Sequence, residues 1–211
     1  MSTTDLISRL SAELEPRAPM RVRHGLVLVA ALLGLTIAIV AGVFGLWRSA
    51  MAGDASPVFY IANAMLLILG AAATSVTVAM AQPRVGNRQD GPRWGLAMIA
   101  ILPVTALLYG LSHDHAADEF VGDWGIHCLT NGTLAGVLVF AALAWWLRRG
   151  APVSITAAGL YAGVAAGALG SFAYGLSCPL DGMVHLGLWH VLPVAAGGLA
   201  GRAILPRVIR W

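Results

Sequence analysis

The sequence predicts an all-α integral membrane protein with six transmembrane helices and both termini in the cytoplasm. Three observations lead to this prediction. Of the 211 residues, 58% are hydrophobic and only 11% are charged, whereas about a quarter of the residues of a soluble protein are charged. Six apolar stretches each approach the ~20 residues that a helix needs to cross a bilayer. Finally, connections with several arginines alternate along the chain with connections that have one or none.

The apolar stretches take up most of the chain, and no connection between them is long enough to hold a soluble catalytic domain. We therefore expect a cytoplasmic amphipathic segment at 1–24, a six-helix transmembrane domain at 25–204 and a short cytoplasmic tail at 205–211. The predicted spans are Gly25–Leu46, Val58–Met80, Trp94–Leu111, Ile126–Leu147, Val153–Tyr174 and Met183–Ala200.

The distribution of arginine sets the predicted orientation. All 13 basic residues are arginines, and the positive-inside rule assigns the side where they crowd to the cytoplasm. Arg48 stands alone on the opposite side, and the connection 112–123 has no arginine, as we expect of an external loop. The crowded side holds Arg9, Arg17, Arg21, Arg23, Arg84, Arg88, Arg93, Arg148, Arg149, Arg202, Arg207 and Arg210.

The N-terminal segment predicts a short amphipathic helix. Residues 2–5 are good helix-capping residues, and Leu6, Ile7, Leu10 and Leu14 recur on one helical face among polar residues. Two interpretations are open. The helix lies on the inner leaflet with its apolar face in the lipid, or it docks that face in a groove of a partner protein.

Small residues and one proline predict how the spans pack. Pro103 predicts a kink in the third span, which neighbouring helices can accommodate. Glycines at four-residue spacing allow close approach of helix backbones. They favour tight packing within one bundle and leave a homodimer face as the alternative. These glycines are Gly132, Gly136, Gly159, Gly163, Gly167, Gly197 and Gly201.

The two cysteines are the main candidates for chemistry. Cys128 lies near the outer end of the fourth span and Cys178 follows the fifth, so both thiols face the compartment outside the cytoplasm. Three alternatives are open: a reversible disulfide, a thiolate metal site, or separate thiols without a chemical role. We favour the disulfide because, if the cell is bacterial, the compartment outside the cytoplasm is oxidising and thiols there tend to pair.

The metal alternative draws on residues close to the cysteines. His127, His185 and Met183 would add imidazole and thioether ligands to Cys128 and Cys178, a set that suits zinc, cadmium or copper(I). The sequence has no CxxC or HxxxH spacing. On an ideal helix, position 190 is rotated about 140° from position 185. We therefore do not expect the histidines at these positions to share an ion unless other helices contribute.

Several function classes are disfavoured. The arginines are scattered between apolar runs, so we predict no direct contact with nucleic acid. No span has an Asp, Glu or Arg in its middle, which argues against an ion-coupled transporter. A thiol oxidoreductase would need a further cysteine pair, and a haem enzyme would need opposed histidines. We predict no enzymatic activity and no cofactor beyond a transient soft metal ion at the cysteines. A membrane thiol or haem redox enzyme and a small transporter-like protein are the alternatives.

Taken together, these features resemble the NrsF family of bacterial anti-sigma factors, which are six-helix inner-membrane proteins. The resemblance covers essentially the whole chain, from a short helix at 4–7 and an arginine-bearing segment that ends at Arg23 to the six spans. One cysteine opens the fourth span. The most specific part is Cys178-Pro179 leading into a helix that carries Leu188-Trp189-His190.

The resemblance implies a multi-pass protein of the bacterial inner membrane whose partners are the lipid bilayer and an extracytoplasmic-function (ECF) sigma factor. The cytoplasmic side would hold the sigma factor inactive. Cys128 and Cys178 would be the sensing thiols that report heavy-metal or oxidant stress. The predicted contact with the sigma factor is the apolar face formed by Leu6, Ile7, Leu10 and Leu14.

Overall fold

The computed structural model describes residues 2–12, 20–82, 91–112 and 123–209, and every regular element within these ranges is an α-helix. Six helical segments are long and apolar enough to cross a membrane, so the predicted all-α fold with six helices of membrane-spanning length is confirmed. In chain order the helices are α1 (Thr3–Ala12), α2 (Val22–Phe44), α3 (Arg48–Ala52), α4 (Pro57–Met80), α5 (Gly91–Ile99), α6 (Ile101–Ser112), α7 (Asp123–Ala135), α8 (Val137–Arg148), α9 (Ile155–Gly175), α10 (Met183–Trp189) and α11 (Leu192–Val208).

Three of the spans are single helices and three are two helices in succession. Their bounds agree with the predicted ones to within a few residues, apart from the last span. That span continues to Val208, so the first part of the predicted tail at 205–211 is helical. The spans are Val22–Phe44, Pro57–Met80, Trp94–Ser112, Trp124–Arg148, Ile155–Gly175 and Met183–Val208.

The interruptions of the third, fourth and sixth spans coincide with proline or glycine. The third span is interrupted at Ala100, three residues before Pro103, which lacks the N–H that a regular helix would use there. This interruption corresponds to the predicted kink. The fourth span is interrupted at Gly136. The sixth is interrupted at His190 and the residue after it, just before Pro193 in the first turn of α11.

Helix α9 is the centre of the bundle. Of the 18 most apolar consecutive residues in each span, 72% are buried in α9 but only 17% in α2. Its neighbours are α11, α4, α7 and α8. Because α9 is rich in alanine and glycine, several helices can approach its backbone closely.

The spaced glycines lie at helix contacts inside this bundle. A Cβ atom added at Gly163 would overlap the carbonyl oxygen of Gly197 on α11, and one added at Gly136 would overlap the carbonyl oxygen of Ala166 on α9. Each glycine therefore permits a close approach that alanine would prevent. These contacts correspond to the tight packing within one bundle that the sequence favoured. The alternative, a homodimer face, stays a prediction.

At one end of the bundle, which we call the cysteine end, the loops 45–56 and 176–182 are joined by hydrogen bonds. The backbone N–H of Trp47 donates to the carbonyl of Leu176 over 3.0 Å. The backbone N–H of Ser56 donates to the Asp181 carboxylate over 2.7 Å, and the Ser56 hydroxyl donates to the Asp181 carbonyl over 3.0 Å. These bonds fix the loop that carries Cys178.

The opposite end, the arginine end, is where α8 finishes at Arg148. The indole N–H of Trp146 donates to the carbonyl of Val78 over 3.1 Å, and the N–H of Ala151 donates to the carbonyl of Ala81 over 2.9 Å. Helix α1 has no buried residue. Which end faces the cytoplasm stays a prediction. The arginine-rich connection at 83–90 and the external loop at 113–122 lie outside the described residues.

Candidate functional site: two thiols and two imidazoles

Cys128 and Cys178 come from different spans and face each other at the cysteine end. Cys128 lies in the second turn of α7, and Cys178 follows α9, where its backbone N–H donates to the carbonyl of Gly175 over 3.2 Å. The two Sγ atoms are 3.5 Å apart, and both cysteines are free and only 1% exposed. The sequence predicted matching depths for the two thiols, and the structure brings the sulfurs into contact.

Two histidines of the sixth span join the thiols. Nε2 of His185 lies 3.5 Å from Sγ of Cys178, and the rings of His185 and His190 have centroids 5.5 Å apart. One ligand atom from each of the four residues can be chosen so that all lie within 4.8 Å of one another, and all four residues are buried. From the sequence we expected the two histidines to share an ion only if other helices contribute ligands. Cys128 of the fourth span and Cys178, which follows the fifth span, provide these ligands.

His190 is held by a residue of the central helix. The hydroxyl of Ser171 on α9 donates to the carbonyl of His190 over 2.6 Å and lies 3.4 Å from its Nδ1. The other ring nitrogen, Nε2, is buried and has no hydrogen-bond partner among the described residues. A buried polar atom without a partner is uncommon in folded proteins and calls for an explanation.

Apolar side chains enclose the two thiols. Val40 of α2 and Tyr174 of α9 belong to the same buried cluster as the two cysteines, and Leu180 and Trp189 pack against it. Pro179, directly after Cys178, is exposed. The site therefore lies beneath a surface loop, where a small ion or oxidant has only a short distance to travel.

The neighbours of Cys178 alter its acidity. Hydrogen bonding with Cys128, and then with His185, together with the nearby imidazole of His190, holds the pKa of the Cys178 thiol below its usual range, although burial acts in the opposite direction. A lowered pKa favours the thiolate, which is the form that binds metals and reacts with oxidants.

The other two predicted ligands, His127 and Met183, have different surroundings. His127 is exposed, and its ring lies against Trp124 with centroids 6.3 Å apart. Met183 is half-buried, with its sulfur 3.9 Å from the Thr105 hydroxyl. His127 points away because neighbouring residues of a helix face about 100° apart.

His190 was not among the metal ligands predicted from the sequence. The prediction used an ideal helix through this position, but α10 ends at Trp189 and a new helix begins at Leu192. The signal that could have identified it is Pro193, which predicts an interruption of the helix in the preceding turn.

The predicted contact face for the sigma factor lies on α1. Leu6, Ile7 and Leu10 are exposed at 43%, 58% and 55%, so this apolar face is uncovered. Leu14 lies outside the described residues. Ser2 caps the helix, since its hydroxyl accepts a hydrogen bond from the N–H of Asp5 over 3.2 Å.

Comparison with known proteins identifies the family. A family described as "Negative regulator of sigma F" (NrsF) matches residues 10–211. A protein from Azospira oryzae named "Probable anti-sigma-F factor NrsF" is 27% identical over 160 residues, which cover 74% of this chain and 73% of that protein. No solved structure matches the chain.

The family match covers nearly the whole chain, and with it the four clustered residues and all six spans. A negative regulator of a sigma factor is not an enzyme, so the prediction that the chain lacks enzymatic activity is confirmed. The chain therefore belongs to the NrsF family of negative regulators of sigma F, and it is an anti-sigma factor with six helices that are long and apolar enough to cross a membrane.

Proposed function

We propose that this protein holds an ECF sigma factor at the bacterial inner membrane and releases it when Cys128 and Cys178 react with an oxidant or a heavy metal. The observation that carries the proposal is the contact between the two thiols. One lies in the fourth span and the other in the loop that follows the fifth span, both are buried, and their sulfurs are 3.5 Å apart. A chemical change at this pair therefore acts on two spans at once.

Oxidation is compatible with this geometry. A disulfide has an S–S distance of about 2.05 Å, so the sulfurs would have to approach by a little more than an ångström. The two thiols lose two protons and two electrons, and the electrons pass to a thiol oxidant such as a peroxide or a diazene. The new bond joins α7 to the loop that follows α9.

The structural effect of such a bond can be transmitted along the fourth span. Helix α7 carries Cys128 at the cysteine end and continues through the interruption at Gly136 into α8, which finishes at Arg148 at the arginine end. We infer that tying the outer ends of the fourth and fifth spans shifts their inner ends, with the Arg148–Arg149 turn, against the N-terminal segment. A ligand or a bond changes this equilibrium only by the difference in its free energy between the two arrangements.

A change from mostly bound to mostly released needs on the order of 5 kcal/mol, which a thiolate metal site can supply. The sigma factor would bind on the cytoplasmic side, and the contact that we propose is the exposed Leu6, Ile7 and Leu10 face of α1, together with Leu14, which the sequence predicts on the same face. An uncovered apolar helix face is the type of surface that docks in a partner's groove.

The test is affinity capture of the tagged full-length protein from gently solubilised native membranes, with and without cadmium or a thiol oxidant. We expect an ECF sigma factor to co-purify and to be lost after treatment. From the Cys128→Ser, Cys178→Ser double variant it should be captured equally well and stay bound. His127→Ala is the matched control, since this histidine neighbours Cys128 but is exposed, and it should respond like the native protein.

Two results would contradict the proposal. If no sigma factor is captured with any version, the proposed partner is wrong. If the sigma factor leaves the double variant as readily as the native protein, the thiols are not the sensing residues.

A further inference from the structure

The buried Nε2 atom of His190, which has no hydrogen-bond partner among the described residues, points to a ligand of the side-chain cluster. We propose that Cys128, Cys178, His185 and His190 form a tetrahedral site for one divalent cation of the zinc class. The site itself rests on geometry alone, whereas its use as the metal sensor of the anti-sigma factor rests on the proposed function.

The separations of the ligand atoms fit a tetrahedral ion. With Zn–S bonds of about 2.3 Å and Zn–N bonds of about 2.0 Å, the ligand atoms of a tetrahedral site lie about 3.3–3.8 Å apart. The Cys128 and Cys178 sulfurs are 3.5 Å apart, and the Cys178 sulfur is 3.5 Å from Nε2 of His185. The whole set lies within 4.8 Å, so a shift of about an ångström in the histidine positions completes the tetrahedron.

Ser171 prepares His190 for this role. Its hydroxyl donates a hydrogen bond to the carbonyl of His190, which leaves its oxygen lone pairs free to accept a hydrogen bond from Nδ1–H. The imidazole is then protonated at Nδ1 and has its lone pair on Nε2, the atom without a partner. Histidines that bind metals almost always donate their second N–H to a polar group in this way, which fixes the tautomer and the ring orientation.

Charge balance supports a divalent ion with two sulfur ligands. On binding, each thiol releases its proton to solvent, so two protons leave for each ion that enters. Two thiolates and one divalent cation are neutral together, and the imidazoles add no charge. A neutral group is much cheaper to bury beside lipid than an isolated charge. Two thiolates with two imidazoles are a common ligand set of tetrahedral zinc.

Asp181 is the nearest carboxylate in sequence to Cys178, and its oxygen accepts a hydrogen bond from Ser56. His127 is exposed on the other side of Cys128. Neither of these residues belongs to the set of ligand atoms that lie close together. The site is therefore the buried cluster itself and does not extend to the surrounding loop.

Cobalt(II) is the probe for the test, because its visible absorption reports both tetrahedral geometry and thiolate ligation. The purified, reduced, full-length protein in detergent is titrated with Co²⁺, and Zn²⁺ is then added as competitor. We expect one Co²⁺ per chain, intense visible bands, a sulfur-to-cobalt charge-transfer band, and displacement by Zn²⁺. Cys128→Ser and Cys178→Ser should abolish the charge-transfer band or reduce it by about half.

The variants that decide the proposal are His190→Ala, His185→Ala and Ser171→Ala, with His127→Ala as the control. We expect the two histidine substitutions to weaken Co²⁺ binding by at least a hundredfold and to change the visible bands. Ser171→Ala should weaken it by about 10–100-fold, the usual effect of removing a group that orients a metal ligand. His127→Ala should bind as the native protein does. Titration of the thiols in each variant verifies that the protein is folded and reduced.

A native spectrum and affinity in both His190→Ala and His185→Ala would overturn the four-residue site, and so would an absence of Co²⁺ binding by the native protein. Should His190→Ala fail to fold, His185→Ala and Ser171→Ala decide in its place. Failure of the proposed function looks different. In that case Co²⁺ binds with the expected spectrum, but capture from membranes yields no sigma factor. A protein that releases its sigma factor on oxidation and binds no Co²⁺ contradicts the metal site alone.

Discussion

The Ser171 hydroxyl on α9 lies 2.6 Å from the carbonyl oxygen of His190 and 3.4 Å from its Nδ1, so one side chain contacts both the backbone and the ring of that residue. His190 lies where the sixth span is interrupted, at the turn between α10 and α11. Ser171 thus ties this interruption to the central helix of the bundle. The same contact orients the imidazole towards the thiols.

Replacing Ser171 by alanine should destabilise the protein, because two buried polar groups of His190 lose their partner. An unsatisfied buried polar group costs about 1–3 kcal/mol. The matched control is Ser177→Ala, since the Ser177 hydroxyl is buried without a hydrogen-bond partner among the described residues. Thermal unfolding of the metal-free protein in detergent should show a clear drop for Ser171→Ala and none for Ser177→Ala. Equal drops would contradict the role given to Ser171.

Metal binding and oxidation should exclude each other, because both use the Cys128 and Cys178 sulfurs, which lie 3.5 Å apart. A thiol oxidant should form an intramolecular disulfide that blocks both thiols without producing a crosslinked dimer. Preloading with Zn²⁺ should slow the loss of thiols by tenfold or more. The measurement is the count of free thiols over time, together with a non-reducing gel. Cys128→Ser serves as the control, since its remaining thiol has no partner within the chain. An oxidation rate that Zn²⁺ does not change would show that the two reactions are independent.

The fold was predictable from sequence because a membrane constrains it strongly. Spans of about 20 apolar residues are read directly from composition, and glycines such as Gly163 and Gly167 predicted the close packing of α9. The interruption at Ala100 was expected from the missing N–H of Pro103. Helix α3 was not predicted, since its five residues lie in a loop between two spans and have no apolar periodicity.

The site was predictable only in part. Cys128 and Cys178 stood out because they are the two cysteines of the chain and lie at equivalent depths. His190 did not, because its approach to the thiols depends on an interruption of the helix and on the contact with Ser171. His127 was predicted as a ligand because it precedes Cys128 in the sequence, but adjacent residues of a helix point in different directions. Contacts between distant parts of the chain, such as Ser56 with Asp181, leave no pattern in a single sequence.

Gly163→Ala should destabilise the bundle strongly. Its Cβ would overlap the carbonyl oxygen of Gly197, and this overlap with backbone can be relieved only by moving α9 away from α11. Overpacking of this kind costs about 1–3 kcal/mol or more. Gly34→Ala is the matched control on α2, since a Cβ there would have no atom within 4 Å. Thermal unfolding should show a large loss for the first variant and none for the second. Two similar curves would mean that α9 and α11 are not in close contact.

Leu10→Ser should weaken capture of the sigma factor without changing the stability of the bundle. Leu10 is 55% exposed on α1, and α1 has no buried residue, so the substitution removes apolar surface that packs against nothing in this chain. Losing one apolar side chain from a docking face should reduce binding by roughly tenfold, in line with about 1.5 kcal/mol for a leucine. Ser8→Ala, on the same helix but off the apolar face, is the control. The recovered fraction of sigma factor and the unfolding temperature are both measured, and full retention by Leu10→Ser would rule out this face.

The orientation in the membrane can be tested with single cysteines in the Cys128→Ser, Cys178→Ser background. Ala12 ends α1, on the side where arginines crowd, and Asp54 lies in the loop that hydrogen-bonds to the loop of Cys178; both are exposed. The positive-inside rule assigns the arginine-rich side to the cytoplasm. A membrane-impermeant maleimide added to spheroplasts should therefore label Asp54→Cys and leave Ala12→Cys unlabelled. After lysis both positions should react, which verifies that each thiol is accessible. Labelling of Ala12→Cys in intact spheroplasts would put the N-terminal helix outside the cytoplasm. A sigma factor could not then reach α1, and the proposed release mechanism would fail with the orientation on which it depends.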